Sequence, residues 1–312
     1  MTVAELGDAI RLRMAQVIAG QQETIEMMTV CLLARGHVLL EGPPGVAKTL
    51  LARCFAHLLQ CQFRRIQFTP DLMPSDVTGT NVFDARSTEF RLKRGPVFTN
   101  VLLADEINRT PPRTQSALLE AMEERHVTID GESHALDGVF YVIATQNPIE
   151  YEGTYPLPEA QLDRFLMKLL IGYPDEADEV EVVRRAHLGF DPHQLQDLQP
   201  VPADAVTDAW EEIKRVHADD AVLAYAAQIA RQSRQTFRVE LGGSPRASIA
   251  LMKCGKALAA LRGRDYLTPD DIKSVAAAVL RHRLILAPET LLEGVQVDDV
   301  IASILAACPV PR

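Results

Sequence analysis

The 312-residue sequence lacks any apolar run of the roughly 18 residues that a membrane-spanning helix needs, so we expect no membrane span. Its amino terminus is amphipathic and carries no apolar signal core, which favours a cytoplasmic protein. Positive charge is also scarce, because 32 Lys and Arg stand against 42 Asp and Glu, a net charge of −10. Nucleic acid and anionic membranes attract positive fields, so this balance argues against nucleic acid as a partner.

Cysteine is sparse, and its pattern excludes two common site types. The five cysteines form no CxxC pair, and the eight histidines show no HExxH spacing. An odd, scattered set of thiols predicts a reducing compartment without a disulfide framework, and neither residue type suggests a zinc site.

Short apolar segments alternate with helical patterns over the first two thirds of the chain. Such strands, separated by helices, indicate a parallel sheet covered on both faces, and hence an α/β fold. The predicted strands cover residues 37–41, 65–69, 101–105, 139–145 and 165–171. Two segments interrupt this order: an insert at 70–97, and a hairpin at 127–135 marked by Asp130-Gly131.

The pattern changes after a stretch rich in Asp, Gln and Pro. Beyond it the sequence is helical, with a clear helix start at Ser244-Pro245. We therefore predict a nucleotide-binding domain over 1–190, a linker over 191–203 and an all-helical domain over 204–312.

A phosphate-binding loop is the most specific local signal. It lies between a predicted strand and a helix, where backbone N–H groups and the helix dipole hold phosphate oxygens. Lys48 would contact the β- and γ-phosphates of ATP, and the Thr49 hydroxyl would bind Mg²⁺. Ala47 stands where the simple pattern has Gly, and Ala suits this position if its backbone is already right-handed helical. The predicted nucleotide-binding residues of this loop are Gly42, Pro43, Pro44, Gly45, Val46, Ala47, Lys48, Thr49 and Leu50.

Two carboxylates, Asp105 and Glu106, end the strand predicted at 101–105. The carboxyl ends of parallel strands face the ligand crevice, so Asp105 can reach the Mg²⁺ that Thr49 binds. Glu106 can orient or deprotonate the attacking water. Because a protein that only binds nucleotide would not need Glu106, this pair predicts ATP hydrolysis.

Five further residues are candidates for sensing or completing the site. Asn147 ends the strand predicted at 139–145, where a neutral amide can contact the γ-phosphate or the attacking water. Arg164 cannot easily reach its own loop and could enter the site of a neighbouring subunit; an ion pair with Asp163 or Glu159 is the alternative. Arg109 and Arg113 are competing candidates for the same role. Arg246, at a helix start, could report the nucleotide state to the helical domain.

Together these motifs resemble the MoxR family of AAA+ ATPases. The likeness covers nearly the whole chain, and it is most specific at 69–72, 74–79, 115–120 and 153–160. The shared segments are GPPGVAKT (42–49), LLADEINR (102–109), ATQNP (144–148), EAQLDRF (159–165) and GGSPRAS (242–248).

The resemblance implies a P-loop AAA+ core, with a parallel five-stranded sheet between helices, and a C-terminal all-α lid. It implies that Asn147 is sensor 1, Arg164 the arginine finger acting in trans and Arg246 sensor 2, in cis or in trans. It also implies that the segment around Gly20 contacts adenine through its backbone, and that Ala47 is normal in the loop.

The same resemblance implies a homo-oligomeric ring, commonly of six subunits, that remodels protein clients. Family members act in complex maturation or metal-cofactor insertion, often with a partner bearing a von Willebrand factor A domain. Two alternatives stay open: a nucleic-acid-dependent motor on the same scaffold, and a scaffold that uses nucleotide only to assemble. A small-molecule kinase is a weaker option, because nothing suggests an acceptor pocket.

Overall fold

The computed structural model describes residues 1–136, 138–148, 154–191 and 194–311. The helices are α1 (Val3–Val17), α2 (Gln22–Leu33), α3 (Lys48–Leu58), α4 (Pro74–Thr78), α5 (Pro112–Glu124), α6 (Glu159–Leu162), α7 (Glu176–His187), α8 (Ala205–Lys214), α9 (Asp220–Ser233), α10 (Pro245–Leu261), α11 (Pro269–Leu280), α12 (Pro288–Leu292) and α13 (Val297–Ala307). The strands are β1 (Val38–Glu41), β2 (Phe63–Gln67), β3 (Gly79–Asp84), β4 (Glu89–Arg94), β5 (Val101–Asp105), β6 (His126–Ile129), β7 (Glu132–Ala135), β8 (Tyr141–Gln146), β9 (Met167–Leu170), β10 (Val239–Leu241) and β11 (Ile285–Leu286).

The central sheet has five parallel strands in the order β2-β5-β8-β1-β9. All five predicted strands are present; β2 begins two residues earlier than predicted and β8 ends one residue later. The phosphate loop follows β1, which lies between β8 and β9. The acid-bearing β5 is the next strand beyond β8, so one edge of the sheet collects the predicted site.

Alternate residues of the strands enter two different hydrophobic cores. In β1, Val38 and Leu40 pack into one core with α1, α2 and α3, whereas Leu39 packs into the other core with α5. In β5, Leu103 and Leu102 divide in the same way. A strand buried on both faces needs apolar residues at every position, which is why these strands read as continuous apolar runs.

Both insertions contain the expected hairpins. Within 70–97, α4 leads into the antiparallel pair β3–β4, and β6–β7 form the second hairpin. Asp130 and Gly131, at the turn of β6–β7, both have positive φ, 50° and 88°, which matches the twist that a two-residue hairpin needs.

The C-terminal helices share their core with the first two helices of the chain. Side chains of α8, α9, α10, α11 and α13 join those of α1 and α2 in one buried cluster, and β10–β11 form a short antiparallel pair within this lid. In the predicted linker, whose residues 192 and 193 lie outside the described residues, Val201 is buried and its N–H donates to Leu58 O at 2.8 Å. None of the helices that the structure describes is long and apolar enough to cross a membrane.

Candidate nucleotide site

The loop between β1 and α3 turns tightly, and two glycines allow it. A Cβ on Gly42 would stand 2.2 Å from Ile171 O, and Gly45 has φ 85°. Because α3 begins at Lys48, the unpaired N–H groups of its first turn and its dipole face the loop. The backbone therefore forms the cradle for an anion that the sequence predicts.

Alanine was expected to suit position 47 if the backbone there is right-handed helical, and the structure shows a different backbone conformation. Its φ of 62° and ψ of 20° place it in the left-handed region, where it caps α3. An L side chain costs about 1–2 kcal/mol in that conformation. The backbone of the loop is thus locally strained at the residue before Lys48.

Lys48 arches back over the loop, and its Nζ donates to Gly42 O at 2.7 Å. Partial burial lowers the pKa of the ammonium group, while Asp105, Glu106 and Glu41 each act in the opposite direction. The carboxylates of Asp105 and Glu106 therefore lie within electrostatic reach of the Lys48 ammonium group.

Thr145, on β8, ties the two acids to each other. Its hydroxyl donates to Asp105 Oδ1 at 2.5 Å and accepts from the Glu106 N–H at 2.9 Å. The other oxygen of Asp105, Oδ2, accepts from Arg65 Nη2 of β2 at 2.7 Å. The sequence had drawn attention to the tip of β8 but not to this threonine.

Glu106 is held in an unusual backbone conformation. Its φ of 57° and ψ of 50° lie in the left-handed region, just after β5 ends. Its Oε2 accepts from Gln67 Nε2 at 2.8 Å and pairs with Arg109 Nε at 3.0 Å. Arg109, one candidate for the trans-acting arginine, is thus a partner of Glu106 in its own chain.

A cavity of about 440 Å³ adjoins the loop, on the side that would receive the nucleoside. The segment between α1 and α2 lines it through Val17, Ile18, Ala19 and Gln21, while Gly20 turns with φ 68° so that its Cα faces Asp178. Residues that the sequence reasoning missed complete the wall: Tyr173, Pro174, Glu179, Val182, Arg185, Ala186 and Phe190, in and around α7. The signal that could have found them is Tyr173-Pro174, directly beyond the carboxyl end of β9.

Asn147 is buried just beyond β8, between the tips of β5 and β1. Arg113 is exposed in the first turn of α5. Neither position tests the role predicted for the residue, so the roles of Asn147 and Arg113 stay predictions.

The remaining two arginines lie at the opposite end of the sheet. Arg164 and Arg246 line a cavity of about 250 Å³ with Gly36 and His37, which precede β1, whereas the phosphate loop follows it. The four residues of β1 separate the two ends by about 10 Å or more. Arg246 is therefore placed away from the nucleotide loop of its own chain.

Glu123, near the end of α5, holds both arginines. Its Oε2 pairs with Arg164 Nε at 3.2 Å, and its Oε1 accepts from Arg246 Nη2 at 2.7 Å. The pairing of Arg164 is thus not with Asp163 or Glu159, which the sequence offered as the alternative. Asp163 is bound instead by Arg283, and its Oδ2 also lies 4.0 Å from Arg246 Nη1.

The groups at the loop fit a nucleoside triphosphate with a divalent cation. The groups that suit these ligands are the backbone N–H groups that open α3, the Lys48 ammonium group, the Thr49 hydroxyl in the first turn of α3 and the Asp105 carboxylate at the end of β5, with a largely apolar cavity beside the loop. Oxygen ligands of this kind suit Mg²⁺.

Comparison with known proteins agrees with this geometry. Residues 37–167 match the family described as "ATPase family associated with various cellular activities (AAA)", and residues 231–304 match the AAA lid domain. The strand order, the phosphate loop and the lid define an ATPase of the AAA+ class. Within that class, the chain belongs to the MoxR family.

Three relatives carry this assignment. The uncharacterised protein YeaC of Bacillus subtilis is 48% identical over 98% of this chain and 95% of its own length. Chaperone MoxR1 of Mycobacterium tuberculosis is 42% identical over 95% of this chain and 80% of its own length. A crystal structure of a candidate ATPase from Cytophaga hutchinsonii superposes with a TM-score of 0.87 at 39% identity, covering 99% of this chain and 98% of that one.

Proposed function

We propose that the chain forms a homo-oligomeric ring, of six subunits, that uses ATP hydrolysis to remodel protein clients in the cytoplasm. The observation that carries this proposal is the separation of Arg164 and Arg246 from the phosphate loop of their own chain. For Arg164 or Arg246 to place a guanidinium at the γ-phosphate, a second copy of the chain must bring it.

In this proposal the loop 42–50 and Lys48 bind the phosphates, and Thr49 and Asp105 hold Mg²⁺. ATP bound with Mg²⁺ supplies the phosphoanhydride bond that is cleaved. Glu106, fixed through its N–H by Thr145, orients the attacking water and accepts its proton. Asn147 contacts the same water or the γ-phosphate from the neighbouring strand tip.

The neighbouring subunit supplies two positive charges to this site. Arg164 stabilises the charge that develops on the transferred phosphoryl group, and Arg246 senses the nucleotide in trans rather than in cis. Both side chains are partly exposed, 30% and 56%, so each can reach a group beyond its own chain.

The client is a protein rather than a nucleic acid. The net charge of −10 disfavours a polyanion, and Chaperone MoxR1 is named as a chaperone. We place the activity in complex maturation or metal-cofactor insertion, with a partner bearing a von Willebrand factor A domain.

A trap variant tests the client. The Glu106→Gln chain, saturated with ATP, serves as bait, and the Lys48→Ala chain is the matched control that cannot hold nucleotide. We expect a protein retained only by the Glu106→Gln chain, which then stimulates ATP turnover by the wild-type chain when added in purified form. Stimulation by DNA instead, with a steep salt dependence, would establish the nucleic-acid motor.

A further inference from the structure

The peptide that carries Arg164 is held by the lid. Residues 163–166 run from the end of α6 to β9, and the lid residues His282 and Arg283 lie directly beneath them, after α11. Arg283 is 9% exposed and His282 7%, so these contacts are inside the molecule.

All three nitrogens of the Arg283 guanidinium donate hydrogen bonds, to residues 163–166 and to the end of α11. Nε donates to Asp163 Oδ1 at 2.7 Å, Nη2 to Phe165 O at 2.8 Å and to Asp163 O at 3.3 Å, and Nη1 to Leu166 O at 3.1 Å. Nη1 also donates to Val279 O within α11. One side chain therefore fixes the backbone on both sides of Arg164.

His282 adds a second bond to the same backbone. Burial holds the pKa of its imidazole well below the ordinary value, so the ring is neutral, and its Nε2–H donates to Phe165 O at 2.9 Å. Burial also lowers the pKa of Arg283, and Asp163 counteracts this by supplying the opposite charge. A buried guanidinium with a carboxylate and several carbonyls is a rigid arrangement, because losing one partner leaves an unpaired buried charge.

The side chain of Arg164 is held from a different direction. Glu123, near the end of the helix that begins shortly after Glu106, pairs with it and also with Arg246 of the lid helix α10. Two lid elements, α10 and the end of α11, thus converge on the residue offered to a neighbour.

We propose that Arg283 is a positioning residue, which sets the place of Arg164 and so couples the lid of one chain to the phosphate site of the next. This inference rests on the proposed function, because it takes Arg164 as the residue that acts in trans. A shift of the lid relative to the sheet would move the backbone of 163–166, and about 1 Å of misplacement can cost roughly 10²-fold in rate.

The test distinguishes a chain that fails to supply a correctly placed Arg164 from a chain whose own nucleotide site is defective. Asp163→Asn and Arg283→Gln each break the clamp, and Arg281→Gln is the matched control. Arg281 also bridges the lid to the sheet, through Asp298 and Lys168 O, but it does not contact residues 163–166. We expect kcat, measured well below the thermal midpoint of each variant, to fall roughly 10²-fold in both clamp variants, with the Kd for ATP close to that of Arg281→Gln. The clamp variants should also melt at a lower temperature than Arg281→Gln, because each leaves buried polar groups unpaired.

Mixed assemblies supply the readout that a general loss of structure would not give. Glu106→Gln chains have an intact Arg164, so they should restore turnover at the sites of Asp163→Asn chains. Arg164→Ala chains should not, because both partners then lack a placed arginine.

Wild-type kcat in both clamp variants, or equal results in the two mixtures, would overturn the inference. A mixture of Glu106→Gln with Arg164→Ala, run in parallel, tests the trans arrangement separately. Turnover in that mixture together with full activity of Asp163→Asn would remove the clamp alone and leave the proposed function standing.

Discussion

The two ends of the central sheet are built in different ways. At the carboxyl end, the chemistry comes from short segments that follow β1, β5 and β8: the phosphate loop, Asp105 with Glu106, and Asn147. At the other end, the charged residues come from four parts of the chain: Glu123 of α5, Asp163 with Arg164 before β9, Arg246 of α10 and Arg283 after α11. The first end is a pocket with a cradle for phosphate, and the second is a set of ion pairs in which Arg164 and Arg246 are partly exposed and Arg283 is buried.

Under the proposed function, this difference means that one chain does not make a complete site. The carboxyl end has groups for phosphate, metal and water, and the opposite end has guanidinium groups with no phosphate loop beside them. Joining the two ends of different copies would unite the two sets.

The largest effect is expected from a change to Arg164, at the end of the sheet opposite the phosphate loop. Arg164→Ala should lower kcat by roughly 10³–10⁵-fold, the range for an arginine that stabilises the transferred phosphoryl group, with little change in the Kd for ATP. Arg113→Ala is the matched control, since Arg113 is exposed in the first turn of α5. A larger loss in Arg113→Ala, measured by steady-state phosphate release, would move the role to that residue.

At the carboxyl end, binding and turnover should separate. Glu106→Gln should retain ATP but lose about 10²–10⁴-fold in kcat, because the amide cannot accept a proton from the water. Lys48→Ala should instead weaken binding, since it removes the ammonium group that lies over the loop. Isothermal titration of both chains distinguishes the roles; equal losses of affinity would show that they are wrongly assigned.

A third prediction concerns His37, which precedes β1 at the end of the sheet that carries Arg164 and Arg246. Burial lowers its pKa from the ordinary value of 6.5 to about 4. The neutral ring accepts from the Val142 N–H at 3.0 Å, and its Nε2–H donates to Met122 O at 3.2 Å. The unfolded chain therefore binds the extra proton, so stability is complete above pH 6.5 and falls as pH drops towards 4. The expected loss in the free energy of unfolding at pH 5 is about 2 kcal/mol.

Urea denaturation between pH 8 and pH 5 measures this slope. His37→Asn should show a smaller dependence on pH than the wild type. His282 acts in the same direction as His37, so part of the slope should persist. An unchanged slope in His37→Asn would show that this histidine is not the titrating group.

The smallest effect is expected from Ala47→Gly in the phosphate loop. Glycine removes the left-handed strain but restores chain entropy, so the free energy of unfolding should rise by about 0.5 kcal/mol. Ala224→Gly, at an exposed site within α9, should lower it by about 1 kcal/mol. A destabilised Ala47→Gly chain would mean that the loop gains more from the alanine methyl group than it loses in strain.

The sequence predicted the carboxyl end because its signals are local. A strand ending in a glycine loop, and another ending in two acids, report their own positions, and parallel strands bring such ends together. The hairpin at 126–135 was predictable for the same reason, from Asp130-Gly131 at its turn.

The rest depended on contacts between distant residues. Nothing near Glu123 marks it as the partner of Arg164, and Arg283 follows an ordinary helix before it meets Asp163, 120 residues earlier in the chain. Threonine is common in strands, so nothing in the sequence distinguishes Thr145. Only the fold places it beside Asp105 and Glu106. The sequence does not determine whether the backbone of Ala47 is right-handed or left-handed, because alanine can adopt either conformation. The geometry of the loop selects the left-handed one.

The most direct test of the split site is ATP turnover in mixtures of Glu106→Gln and Arg164→Ala chains. Each alone should be nearly inactive, and the mixture should regain turnover, because Glu106→Gln chains supply Arg164 to sites that retain Glu106. Wild-type chains diluted with Glu106→Gln chains show whether mixed assemblies turn over at all. If that control is active while the two variants together do no better than their sum at any ratio, the account is contradicted.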